Sequence, residues 1–166
     1  MRPTFPTIEQ VLELEKISKH TIPENWQDQN GHVNIQYYQK LYDLSGWGMF
    51  NQIGVDQTYF SERKLGIFDL EHHLYYLHEL HVGDVVSLHC RYLAKNKKRM
   101  HGIVFIVNES RNQLSSTLEF IATGANLQTR RTDDFPEDVS SNLDRIINAH
   151  SSILWPAPVC GAMSIE

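Results

Sequence analysis

Four stretches of the chain, residues 66–80, 85–95, 100–108 and 114–127, are rich in branched and aromatic side chains and are parted only by short polar connectors. In the first of them Ile67, Phe68, Leu70, Leu74, Tyr75, Tyr76 and Leu77 supply that character. The connectors Val82-Gly83-Asp84, Lys95-Asn96-Lys97-Lys98-Arg99 and Asn108-Glu109-Ser110-Arg111-Asn112 each read as a hairpin connection. Four consecutive strands joined by hairpins imply an antiparallel sheet. No other feature constrains the fold as much.

Ahead of these strands the pattern changes. Residues 16–23 alternate mildly and fit a first strand, which the turn residues Pro23, Asn25, Asp28, Asn30 and Gly31 break. From about residue 33 to 53 the spacing predicts a helix, with Tyr38, Leu41, Tyr42, Ser45 and Met49 on one face and Tyr37 and Leu44 beside them. Gly46 and Gly48 each cost such a helix about 1 kcal/mol relative to alanine, so they mark a close approach to the sheet or a kink. Gly54 is a natural stop. A last helix is predicted over residues 137–150, with Val139, Leu143, Ile146 and Ile147 on one face and Asp133 and Asp134 at its positive end. The tail from Trp155, with Pro156 and Pro158, reads as extended. Strand, long helix, then four strands is an α+β order, satisfied by an antiparallel sheet of about five strands with a helix on its concave face. No repeat or linker divides the chain, so one domain is expected over residues 1–166, with its core at about 16–130 and a C-terminal helix and tail at 131–166.

Composition removes several function classes. A net charge of −5, from 15 basic and 20 acidic side chains, argues against a nucleic-acid binder. No apolar run approaches the roughly 18 residues of a membrane span. Met1-Arg2-Pro3-Thr4-Phe5-Pro6 leads into a charged segment, unlike a secretory signal, and two cysteines make no disulfide framework. A cytoplasmic setting is therefore expected. Cys90 falls in a predicted strand and reads as packed rather than nucleophilic. The chain has neither a Gly-x-Ser-x-Gly elbow nor a glycine-rich phosphate loop.

The chemistry gathers in Trp26-Gln27-Asp28-Gln29-Asn30-Gly31-His32-Val33-Asn34, which runs on through Ile35-Gln36-Tyr37-Tyr38 into the first helix. This layout holds a carboxylate beside the positive end of a helix, where a developing oxyanion is stabilised. The segment resembles the Asp-x-x-Gly-His-Val-Asn-x-x-x-Tyr opening of hotdog-fold acyl-CoA thioesterases of the 4-hydroxybenzoyl-CoA thioesterase type. The resemblance implies a hotdog fold, hydrolysis of a coenzyme A thioester, and no cofactor. It puts the catalytic carboxylate, as nucleophile or general base, on Asp28, the oxyanion donor on a backbone amide near Ile35, and Tyr38 in the acyl pocket. His32 and Asn34 match the Gly-His-Val-Asn form of the motif, and Gly31, without a Cβ, permits a tight approach. Trp26 stands where some members carry an earlier aspartate. The absence of glutamate between Gln36 and Gly54 departs from relatives that use one on the helix.

Thioester cleavage suits so spare a site. The leaving thiol has a pKa near about 8.5, so its protonation matters less than in amide hydrolysis. One carboxylate and one aimed N–H suffice. A related hydratase would place its histidine five residues after the aspartate, whereas Asp28 and His32 are four apart. A non-catalytic acyl-CoA binder on the same fold is the remaining alternative. Because family pockets lie between protomers and a lone protomer exposes a sheet edge, a homodimer or a dimer of dimers is expected.

Other residues extend this reading. Lys97, Lys98 and Arg99, and likewise Arg130 and Arg131, are candidates for the phosphates of coenzyme A. In a continuous strand Glu71, His73, Glu79 and His81 share one face, but their two pairs lie about 26 Å apart, so no metal site is expected. Leu70 to Glu79 also resembles a thioesterase subgroup linked to carnitine and betaine metabolism. That similarity implies an acyl group with a quaternary ammonium, for which Tyr42, Trp47, Phe50, Tyr59 and Phe60 offer aromatic faces.

Overall fold

In the computed structural model, which describes residues 2–165, β1 (Lys16–Thr21) and β2 (Leu65–Tyr76) form the two edges of one antiparallel sheet. Between them lie β3 (Val85–Lys95), β4 (Arg99–Asn108) and β5 (Gln113–Asn126), in the order β1-β3-β4-β5-β2. A two-residue β6 (Arg131–Thr132) pairs with the far end of β5. Val86, Leu88, Cys90 and Tyr92 alternate onto the concave face and join the main core with Leu118 and Phe120. Ile103, Phe105 and Val107 face the other way, where Val11, Leu14 and Trp155 cover them. Both faces of the central strands are thus buried by this chain alone, the outer one by α1 (Ile8–Val11) and by the C-terminal tail.

The concave face is filled by helices. The single helix expected over residues 33–53 is instead two, α2 (Gln36–Leu44) and α3 (Gly46–Gln52), parted at Ser45. Ser45 Oγ donates to the Tyr42 carbonyl at 2.7 Å, a local bond that competes with helical continuation. The two glycines divide the alternatives between them. Gly46 opens α3 at the break, and a Cβ on Gly48 would overlap the Ile17 carbonyl of β1. A short α4 (Gln57–Ser61), capped by Asp56 Oδ1 on the Thr58 and Tyr59 N–H groups, follows; no sequence signal was assigned to it. The last helix, α5 (Glu137–Ser151), falls where its periodicity predicts and packs on β3.

One strand ends earlier than its composition predicts. β2 stops at Tyr76, because Leu77 and His78 both donate their N–H to the Ser115 carbonyl and the chain turns away. Leu80 is then buried beneath the start of α2, its N–H donating to Tyr38 Oη at 3.1 Å and its carbonyl accepting from Val33 N. A bulge between Asp69 and Glu71 shifts the register as well. Glu79 and His81 therefore leave the strand, and the shared face with Glu71 and His73 does not form.

Candidate active site

The loop before α2 is held by its own backbone. Gln27 bridges Val33, Asp28 N donates to the His32 carbonyl at 2.9 Å, and Gly31 N donates to the Asp28 carbonyl at 3.1 Å. Gly31 has φ of +86°, in the left-handed region where a side chain is strained. Trp26 stacks on Tyr37 at 4.7 Å, clamping the loop to the helix.

Next comes the helix start itself. Asn34 N donates to the Trp26 carbonyl at 2.9 Å, so that N–H is occupied, and Asn34 Oδ1 caps Gln36 N at 3.2 Å. Asn34 is thus a support, and its own amide is not free to donate to a ligand. Among the described residues the Ile35 N–H has no hydrogen-bond partner. Ile35 lines a cavity of about 210 Å³ with His32, Val33, Tyr38 and the segment Tyr76 to Glu79.

Asp28 lies just behind this cavity. Its Oδ1 accepts from Asn30 N at 2.7 Å, and its Oδ2 lies 3.8 Å from His32 Nδ1. His32 Nδ1 also lies 3.3 Å from the Val33 carbonyl, which can only accept; a proton on Nδ1 makes that contact a hydrogen bond and leaves Nε2 as the acceptor of the ring. His32 lines the cavity and Asp28 does not, so Asp28 meets it through the imidazole. Tyr38 meets Tyr76 edge to face at 5.1 Å. Burial pushes the Tyr38 phenol up against the lowering by the Leu80 N–H, so it stays protonated and serves as wall.

A family model, the thioesterase-like superfamily, matches residues 22–143 of this chain. The chain belongs to that superfamily. The betainyl-CoA thioesterase of Pseudomonas aeruginosa is 25% identical over 138 residues, covering 83% of this chain and 86% of that protein. An L-carnitine dehydrogenase/betainyl-CoA thioesterase of a Rhizobium species is 27% identical over 131 residues, 79% of this chain. This chain spans about a quarter (26%) of that longer relative. Among solved structures, a Staphylococcus aureus protein in complex with CoA superposes with a TM-score of 0.80 at 25% identity, over 92% of this chain and 97% of that one. A 1,4-dihydroxy-2-naphthoyl-CoA thioesterase of Synechocystis superposes at 0.67 with 12% identity, over 76% and 93% of the two chains, a likeness of fold.

In this thioesterase-like chain the remaining predicted residues are spread along the molecule. Tyr42 lines a second cavity, of about 180 Å³, and its hydroxyl donates to Asp69 Oδ1 at 2.8 Å. Trp47 is half exposed and packs with Phe50 and Phe60, lining neither cavity. Lys97, Lys98 and Arg99 form the β3–β4 hairpin tip, where Asn96 Oδ1 accepts from Lys98 N and Arg99 N and Phe135 N donates to the Lys97 carbonyl. Arg99 pairs with Thr123 and Tyr76 with Ser116, so within one protomer the tip is about 23 Å along β5 from the Ile35 cavity. Arg130 lies over the Phe68 ring at 5.5 Å. Burial pushes the Cys90 thiol up, in keeping with a packed side chain. A larger cavity, of about 570 Å³, opens between β1, α3 and α5; Gln52 Nε2 there donates to Glu15 Oε2, and no predicted site residue lines it.

The cavity lining also includes Tyr76, His78 and Glu79, which the sequence did not assign to the site; the Leu70 to Glu79 pattern that resembles the carnitine- and betaine-linked subgroup ends where the chain turns into this cavity.

Proposed function

We propose that this chain hydrolyses acyl-CoA thioesters, with the Ile35 N–H as oxyanion donor and Asp28 as the catalytic carboxylate, acting through His32. The unpartnered Ile35 N–H at a helix start in the wall of a cavity lined by Tyr38 and Tyr76 carries the reading, because a donor left without a partner there is ready for developing negative charge. A nucleophilic carboxylate must itself touch the carbonyl carbon, and Asp28 sits behind His32, so base catalysis is the better fit. Water held at His32 Nε2 attacks the carbonyl carbon, and its proton passes to the imidazole, whose new charge Asp28 stabilises. The C–S bond then breaks and the thiolate of coenzyme A leaves, to be protonated from the same imidazole or from solvent.

Superfamily membership and the CoA-bound neighbour support the substrate class. The relatives' names support a small acyl group such as betainyl. β2 pairs only with β5, so a second copy along its open edge would close the cavity beside Tyr76, giving a homodimer or a dimer of dimers. No helix among the described residues is long and apolar enough to cross a membrane, and a cytoplasmic setting is part of the proposal. The test is thiol release from short-chain, long-chain, aromatic and betainyl-CoA by the wild-type and Asp28→Asn proteins. Release from one class, reduced about 10²–10⁴-fold in the variant, is expected. Equal turnover by the two proteins would remove Asp28 from the mechanism.

A further inference from the structure

Thioester cleavage needs an oxyanion donor and a base, and neither is Glu79. Yet Glu79 lines the same cavity as Ile35, three residues beyond Tyr76. The cavity wall contains two phenol rings, Tyr38 and Tyr76, at 86° to one another, and no lysine or arginine. Its other ionisable side chains are His32 and His78, and His78 Nδ1 lies 2.9 Å from the Leu114 carbonyl. Glu79 Oε2 has one neighbour of opposite potential charge, His81 Nε2, at 3.8 Å. Its charge is felt at Tyr38, where it adds to the effect of burial on the hydroxyl.

Resting on the thioesterase reading, we infer that Glu79, with the rings of Tyr76 and Tyr38, selects acyl groups that carry a quaternary ammonium. Such a group donates no hydrogen bond. It is held by ring faces, which attract cations, and by a carboxylate whose one ionisable neighbour is the His81 imidazole rather than a lysine or arginine. An acyl carboxylate would be repelled by the same wall, and a neutral chain would leave the Glu79 charge unanswered. The position suits a short acyl group, because Glu79 and both rings line the cavity that holds the oxyanion donor. The second cavity also combines rings with carboxylates, those of Tyr42 and Phe50 with Asp69 and Asp43. There, however, Asp69 is already bonded to Tyr42 and lies 3.4 Å from His72, and Tyr42 is about 10 Å up the helix from Ile35. Glu79 is the carboxylate that lines the cavity of the Ile35 N–H.

The experiment compares betainyl-CoA with 3,3-dimethylbutyryl-CoA, in which carbon replaces the charged nitrogen at nearly constant shape. The readout is the ratio of kcat/KM for the two substrates. Wild type is expected to favour the cation by about 10-fold or more, within the range of cation–π contacts reinforced by a charge. Glu79→Gln should lower the ratio about 10-fold, Glu79→Lys should invert it, and Tyr76→Leu should lower it a few-fold. The Glu79 side chain is 66% exposed and Tyr76 is 49% exposed, so these substitutions leave the core intact. An unchanged ratio in Glu79→Gln, or an equal fall for both substrates, would overturn the inference. Titration of the same two thioesters into Asp28→Asn protein separates it from the thioesterase reading. Tighter binding of betainyl-CoA without turnover by wild type would leave the Glu79 role standing and hydrolysis refuted. Turnover of both thioesters by wild type at equal kcat/KM would do the reverse.

Discussion

The two faces of the sheet use the same residue types to opposite ends. On the outer face His101 Nε2 lies 2.7 Å from Glu119 Oε1, and Cys160 N donates to Glu119 Oε2 at 2.7 Å. Burial alone would raise the Glu119 carboxyl, but His101 and the Cys160 N–H hold it below the ordinary glutamate value. Arg91 donates to the Trp155 carbonyl at 2.8 Å and lies over the Trp155 ring at 4.4 Å. These charges are spent on fastening the tail across the sheet. On the concave side Ile35 N–H, His32 Nε2 and Glu79 are left open around a cavity. Polar groups satisfied within the chain make structure, and those left unsatisfied in a cavity are free to meet a substrate.

Substitutions can break that contrast. The largest expected effect is on the open side: Asp28→Asn should lower kcat/KM by about 10²–10⁴ while the Tm moves by no more than a few degrees. A large fall in Tm would make Asp28 part of the scaffold instead. On the closed side Glu119→Ala should cost about 3–5 kcal/mol of stability, because it strands His101 and the Cys160 N–H, while the folded fraction keeps its kcat/KM. Urea denaturation and assays corrected for folded protein would check both halves, and a stability loss below 1 kcal/mol would refute the fastening role. Gly48→Ala should cost about 1–3 kcal/mol, since its Cβ meets the backbone of β1 rather than a movable side chain. Chemical denaturation measures it, and a neutral result would mean that α3 can shift away from β1.

The smallest effect is electrostatic. Lys19 and Lys16 hold the Glu109 carboxyl down to about 2, from an ordinary value of 4.5. Its folded value lies below its unfolded one, so its contribution is fully present above about 4.5 and is lost as pH falls through 2. Because the pair is partly exposed, the loss should stay under about 1 kcal/mol. Glu109→Gln should therefore flatten the stability profile between those pH values, and parallel profiles for the two proteins would refute it.

How much of this was legible in the residues depends on how local each decision is. β3 runs over the predicted residues 85–95, and β4, β5 and α5 agree within a residue at either end. Their alternation, turn chemistry and helical spacing act between near neighbours. The glycines at 46 and 48 signalled both a break and a close approach without saying which residue did which. That required β1 to lie against α3. The Asp28 to Tyr38 segment announced a helix start beside a carboxylate, again a local property.

What the chain alone determined, then, is the antiparallel sheet, the helix that enters it, and the loop that precedes that helix. Tertiary structure decided where β2 ends, because the N–H groups of Leu77 and His78 converge on the Ser115 carbonyl and that of Leu80 is taken by a hydroxyl 42 residues earlier. It also decided which of the aromatic residues share a cavity, bringing Tyr76 to Tyr38 and sending Trp47 elsewhere. It placed Glu79 in the same cavity as Ile35, 44 positions apart in sequence, where no periodicity connects them. Hydrogen bonds and burial between distant segments set these pairings, and they exist only once the chain has closed on itself.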